Sequence, residues 1–181
     1  MANVKAATTL VAKGEGYVFQ NSTEFSFSEG PSSFAFNQST AAGGIQFGFV
    51  YENGDFGFLF VDNTSPLQVG TYTNVMSWIE GDPPTGPRLT FVANGRGTSV
   101  GENFGFNIME FTTDSGGNVT NAAIDFKGET DAGFGWMAGA FRLNSDVPIP
   151  DLSPPFMVPE PSVTLIAFLV PPLILALRRR R

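Results

Sequence analysis

The chain has 181 residues and a net charge of −7, from 17 acidic and ten basic side chains. Four of those ten are Arg178 to Arg181, so residues 1–177 set six basic groups against 17 acidic ones and carry −11, which argues against nucleic acid as a partner. There is no Cys and no His, which excludes thiol chemistry, disulfides, Cys/His zinc sites and imidazole-dependent triads; no metal or cofactor is expected.

Residues 1–13, "MANVKAATTLVAK", contain no apolar run of the length of a secretory signal core. Their longest uncharged stretch, Ala6 to Ala12, is short and holds two threonines. They are read as a segment ahead of the folded domain, which is placed at 14–145.

Within 14–145 short apolar runs alternate with clusters of Gly, Asn, Asp, Ser and Pro. In "GFVYENGDFGFLFVD", Phe47, Phe49 and Tyr51 alternate before Glu52-Asn53-Gly54, and Phe56, Phe58 and Phe60 alternate after it. Period-two alternation around an Asn-Gly pair predicts a hairpin. Further pairs recur as Phe25/Phe27, Phe34/Phe36 and Phe104/Phe106, and Ser115-Gly116-Gly117-Asn118 predicts a second turn. Phe has no polar handle, so these pairs read as core. In "FGFNIMEF" the parity slips: Phe104, Phe106 and Ile108 share a face and Phe111 does not, which predicts a bulge or a strand buried on both sides. About ten strands and no amphipathic helix predict an all-β fold, an antiparallel β-sandwich or jelly-roll-like domain.

Residues 146–158 are rich in proline, as an extended, solvated linker would be. Residues 163–177 follow with no charge and Thr164 alone polar. As a short hydrophobic helix they rise about 22 Å, less than the ~30 Å hydrocarbon core, and Pro171 and Pro172 interrupt them. Arg178, Arg179, Arg180 and Arg181 then form a stop-transfer cluster that places the preceding chain across the membrane.

Pro159-Glu160-Pro161, the apolar segment 163–177 and the arginines 178–181 together resemble the PEP-CTERM sorting signal of bacterial exported proteins. That resemblance implies a signal at 159–181 read by an exosortase-like processing enzyme, transient membrane insertion through residues 163–177, and delivery to the cell surface or extracellular space. It also implies an export signal upstream of Met1. The stretch Leu67 to Ser145 resembles a β-rich domain that recurs in bacterial exported proteins. The matching residues are Gly70-Thr71-Tyr72, Leu89-Thr90-Phe91, Gly95-Arg96-Gly97, Phe106 with Glu110, Gly116-Gly117, Asp125-Phe126 and Arg142-Leu143-Asn144. Where that domain often carries two cysteines, this chain has Thr98 and Thr130. The resemblance implies no catalytic activity.

Among individual residues, Trp78, Trp136, Tyr17 and Tyr72 combine a flat face with a hydrogen-bond donor, as sugar stacking needs, although core or rim packing serves them equally. Glu110 and Asp125 lie on adjacent predicted strands and are the one pair that glycoside hydrolysis could draw on. Arg96 between two glycines can bind an anion or pair with a neighbouring carboxylate. Asp62 to Pro66 and Asn53 to Asp55 offer oxygen ligands, but turn formation accounts for them without calcium. The reading is therefore a non-enzymatic exported protein of the surface or extracellular matrix, structural or adhesive, with exopolysaccharide as the expected matrix partner. A carbohydrate-binding module and a carboxylate-dependent glycan hydrolase are the alternatives.

Overall fold

In the computed structural model, which describes residues 8–15, 19, 24–29, 34–39, 44–50, 56–77, 85–93, 95–98, 100, 103–130 and 135–153, the alternation becomes eleven strands and no α-helix. In chain order they are β1 (Thr9–Gly14), β2 (Glu24–Ser28), β3 (Phe34–Ser39), β4 (Ile45–Val50), β5 (Phe56–Asp62) and β6 (Gly70–Tyr72). Then come β7 (Arg88–Ala93), β8 (Arg96–Gly97), β9 (Gly105–Thr113), β10 (Val119–Thr130) and β11 (Gly135–Leu143). Sheet A runs β2-β1-β11-β10-β9-β6 and sheet B runs β3-β4-β5-β7-β8, with antiparallel pairing throughout.

Phenylalanines join the sheets into one core. Phe25 of sheet A meets Phe49 and Phe91 of sheet B at ring-centroid distances of 5.6 and 5.2 Å. Phe47 of sheet B meets Phe141 of sheet A at 3.9 Å, and Phe91 meets Phe126 at 6.4 Å. Such contacts contribute about 0.5–1.5 kcal/mol each beyond the area they bury. Room for them comes from small partners: Gly139 is in register with Phe126, and a Cβ there would lie 2.2 Å from the Phe126 ring.

The predicted hairpin is present as the β4–β5 pair, whose register runs to Val50↔Phe56 and leaves 51–55, outside the described residues, as its connection. One face assignment is reversed. On β5 the core receives Leu59 and Val61, while Phe58 and Phe60 point to the opposite side of the sheet. "FGFLFVD" is apolar on both faces, so aromatic spacing alone selects the wrong one. In β9 the predicted bulge is found: Ile108↔Ile124 is followed by Glu110↔Ala123, leaving Met109 unpaired. The slip restores parity and brings Phe111 back against the core.

The turn at 115–118 is organised by the residue before it. Asp114 Oδ1 accepts from the Gly116 and Asn118 amides at 2.8 and 2.9 Å, and Gly117 takes φ +83°.

Both ends of the domain differ from the expected boundaries. β1 begins at Thr9, ahead of residue 14, and is an interior strand of sheet A. Leu10 and Ala12 alternate into the core; the run is too short and too poor in large side chains to announce itself.

At the other end, residues 145–153 form no strand but do not run free. Leu152 is only 6% exposed and packs with Ala138, Ala140, Val11 and Trp136 on the outer face of sheet A. This strap retraces β11 in reverse, with 147–148 beside Arg142 and 152 beside Ala138 and Ala140. Solvated linker character holds for Pro148, Ile149, Pro150, Asp151 and Ser153, which are exposed, and fails at Leu152. Among the described residues no helix is long and apolar enough to cross a membrane. The predicted helix 163–177 and the sorting-signal residues Pro159, Glu160, Pro161, Arg178, Arg179, Arg180 and Arg181 lie outside the described residues.

Candidate functional site

On the outer face of sheet A, the strap and the strands β6, β9 and β10 enclose a groove of about 660 Å³. Its floor follows from register. Thr71, Asn107 and Asp125 stand opposite one another on β6, β9 and β10. The next row on that face is Gly105, Lys127 and Ala138. Gly105 presents bare backbone, and Asp151 to Ser153 supply the wall. Thr71 Oγ1 donates to Asn107 Oδ1 at 3.0 Å, which fixes the amide.

Behind the groove sits Arg142, with its side chain only 4% exposed. Its Nε donates to the Val147 carbonyl, Nη2 to that of Pro148 and Nη1 to that of Phe141, each at 2.8 Å; Nη1 also reaches the Ile124 carbonyl at 3.3 Å. Nη2 lies 2.8 Å from Asp125 Oδ1, a charge contact whose angle falls outside hydrogen-bond geometry. A guanidinium suits this place because its donors fan out in one plane and keep their charge when buried. The adjoining Asn144 takes φ +48°, and its side-chain amide donates to the Thr120 carbonyl at 2.7 Å, while Asn121 Nδ2 donates back to the Asn144 carbonyl at 2.7 Å. Arg142-Leu143-Asn144 thus ends β11 and starts the strap.

The candidate carboxylates share this face but are engaged separately. Asp125 contacts Arg142, whereas Glu110 accepts from Ser145 Oγ at 2.6 Å. Asp151 is exposed; the Ser153 hydroxyl and amide, with a small contribution from the Lys13 charge, hold its carboxyl below the ordinary 3.8.

Of the aromatic candidates, Trp136 is half-buried against Val11, Ala138, Ala140 and Leu152. The Tyr72 ring stacks on Phe106 at 4.6 Å, and its hydroxyl bonds the Gln68 backbone. Both are packing residues. Trp78 and Tyr17 lie outside the described residues, as do Asn53 to Asp55. Arg96 is a half-buried residue of β8. Asp62 is no open calcium ligand: it forms a buried ion pair with Arg88, and its Oδ1 accepts from the Asn63 amide at 2.7 Å. Among the described residues no cluster of three acidic side chains could hold a metal.

The groove was missed in the sequence because its wall comes from a proline-rich stretch. Its one local signal is Arg142 five residues ahead of "VPIP", whose two prolines lack N–H donors and leave acceptors in excess. Comparison with family models, with curated proteins and with solved structures returns no match to this chain.

Proposed function

We propose that this is an exported bacterial protein of the cell surface or extracellular matrix. A non-enzymatic β-sandwich body with a structural or adhesive role is delivered through a C-terminal PEP-CTERM signal. The observation that carries the reading is the order Pro159-Glu160-Pro161, uncharged 163–177, Arg178 to Arg181. Fifteen uncharged residues with a central proline pair suit a transient handle for an exosortase-type enzyme better than a permanent span.

The body supports this in two ways. Every described strand ends before Asn144, and the last buried side chain among the described residues is Leu152, seven residues ahead of Pro159. Removal of the signal therefore takes nothing from the sheets. Thr98 and Thr130, where the resembled exported domain carries cysteines, are both buried, and the bridge Val100↔Thr130 brings their segments together. Thr98 Oγ1 accepts from the Phe91 amide and donates to the Phe91 carbonyl, so a hydroxyl fastens β8 there instead of a sulfur.

The test is intact-mass measurement of exported protein from a bacterium that has the processing enzyme, with a matched strain lacking it. The expected mature chain lacks residues 178–181, and the enzyme-deficient strain retains them. Exported protein still ending at Arg181 in both strains overturns the proposal.

A further inference from the structure

The groove on sheet A has a chemistry of its own, independent of the tail. Thr71, Asn107 and Asp125 set a hydroxyl, an amide and a carboxylate in one line across three strands. At a strand spacing of about 4.8 Å, that line extends roughly 10 Å. Beside it, Gly105 leaves backbone bare next to Lys127, and beyond Lys127 the row ends at Ala138, which lies under Leu152. The volume of about 660 Å³ is in the range of ligand clefts.

Charge narrows the occupant. Asp125 is offset by Arg142, and the lining carries one further charge of each sign, Lys127 and Asp151, so the formal charges cancel and neither an anion nor a cation is favoured. This neutrality is local, in a body that is otherwise strongly acidic. An apolar ligand would strand the polar row without water. A peptide seeking strand pairing finds little on the floor, because β9 and β10 are paired on both sides and β6, whose edge is open, is only three residues long.

We propose that this groove binds an uncharged oligosaccharide, whose hydroxyls meet the Thr71–Asn107–Asp125 row while a pyranose C–H face rests on the Gly105 backbone and the exposed Pro150 of the strap. With Trp136 and Tyr72 both committed to packing, neither of the stacking candidates among the described residues is offered to the sugar. Binding is therefore carried by hydrogen bonds and lies in the millimolar range. Because one wall is the strap, a bound sugar touches both strap and sheet and so retards release of the strap.

The experiment is an amide-resonance titration of the full chain in a zwitterionic, sugar-free detergent. The probes are neutral tetrasaccharides of β-1,4-linked glucose, mannose or N-acetylglucosamine, and a uronic-acid tetrasaccharide. At least one neutral sugar is expected to give saturable shifts at Asn107, Lys127 and Ser153, and to slow proteolysis within 145–153. Asn107→Leu weakens that binding at least roughly tenfold. Thr71→Val, which changes an exposed edge residue, does so to a lesser degree with the core resonances of Phe49 and Phe91 unmoved. The proposal is overturned by any of three results: no saturable shift with any neutral sugar, tighter binding of the uronate, or undiminished binding in both variants.

Discussion

Replacing Arg142 by alanine tests the tie between strap and body most directly. The guanidinium holds two strap carbonyls, Val147 and Pro148, at 2.8 Å, and bonds from a charged donor contribute about 1.5–3 kcal/mol each. If the strap lifts, burial of Leu152 is also lost, about 1.5–3 kcal/mol. Against these stand the freedom regained by the released segment, about 1 kcal/mol or more per residue, and relief of the buried charge. The Asp125 carboxylate is about a quarter exposed and regains some water, so it adds little to the cost. Summed over residues 145–153 that freedom is on the same scale as the lost contacts, so the net is a loss of about 1–2 kcal/mol, an ordinary size for a single substitution. With a urea slope of about 2 kcal/mol/M, the midpoint falls by about 0.5–1 M. Cleavage within 145–153 accelerates well below that midpoint. Arg142→Lys keeps the charge beside Asp125 but not the planar fan of donors, so it recovers less than half of the loss. A midpoint for Arg142→Ala within about 0.3 M of the parent, or unchanged strap cleavage, refutes this account.

Leu152→Asp should release the strap while leaving the main core in place: proteolysis at 145–153 rises, and near-ultraviolet aromatic signals stay. Gly139→Ala puts a methyl into the Phe126 ring, and overpacking of this kind costs about 1–3 kcal/mol, measurable by thermal or urea unfolding. Phe91 touches Phe19, Phe25, Phe49 and Phe126, so Phe91→Ala should cost about 3–5 kcal/mol in the same assay. Asp114 is held below its ordinary 3.8, first by the Asn118 side chain and backbone and then by the Gly116 and Gly117 amides. A depressed carboxylate stabilises the fold above 3.8, and that stabilisation fades as pH falls through the lower folded value. The urea-midpoint gap between parent and Asp114→Asn should thus be constant near neutrality and close in acid; a gap independent of pH down to 2 contradicts it.

Much of the sheet content was legible because its signals are local. Asn53-Gly54 between alternating phenylalanines marked the β4–β5 pair, and the parity slip at Met109 marked the bulge. Gly116-Gly117 marked the β9–β10 turn, although Asp114, which fastens it, was not singled out. Faces were harder where both sides of a strand are apolar, as in "FGFLFVD". β1 was lost because Leu10 and Ala12 make a faint pattern, and its place between β2 and β11 depends on pairing with residues far along the chain. The groove depends on three separate segments meeting, two in register and one laid across them. Composition could not show that a proline-rich run would be gripped by an arginine that precedes it.

The reversed course of the strap has a mechanical side. From Asn144 the chain doubles back along β11, so a pull on residue 153 in line with the strap acts along its axis and not away from the sheet. Such tension loads the Arg142 bonds to Val147 and Pro148 together, in shear, with Leu152 seated ahead of them. A fastening pulled in shear shares force among its contacts, whereas one that peels fails contact by contact. Through Arg142 the load reaches β11, an interior strand paired on both sides, before any edge strand bears it. A body pulled in that line is thereby gripped at its middle.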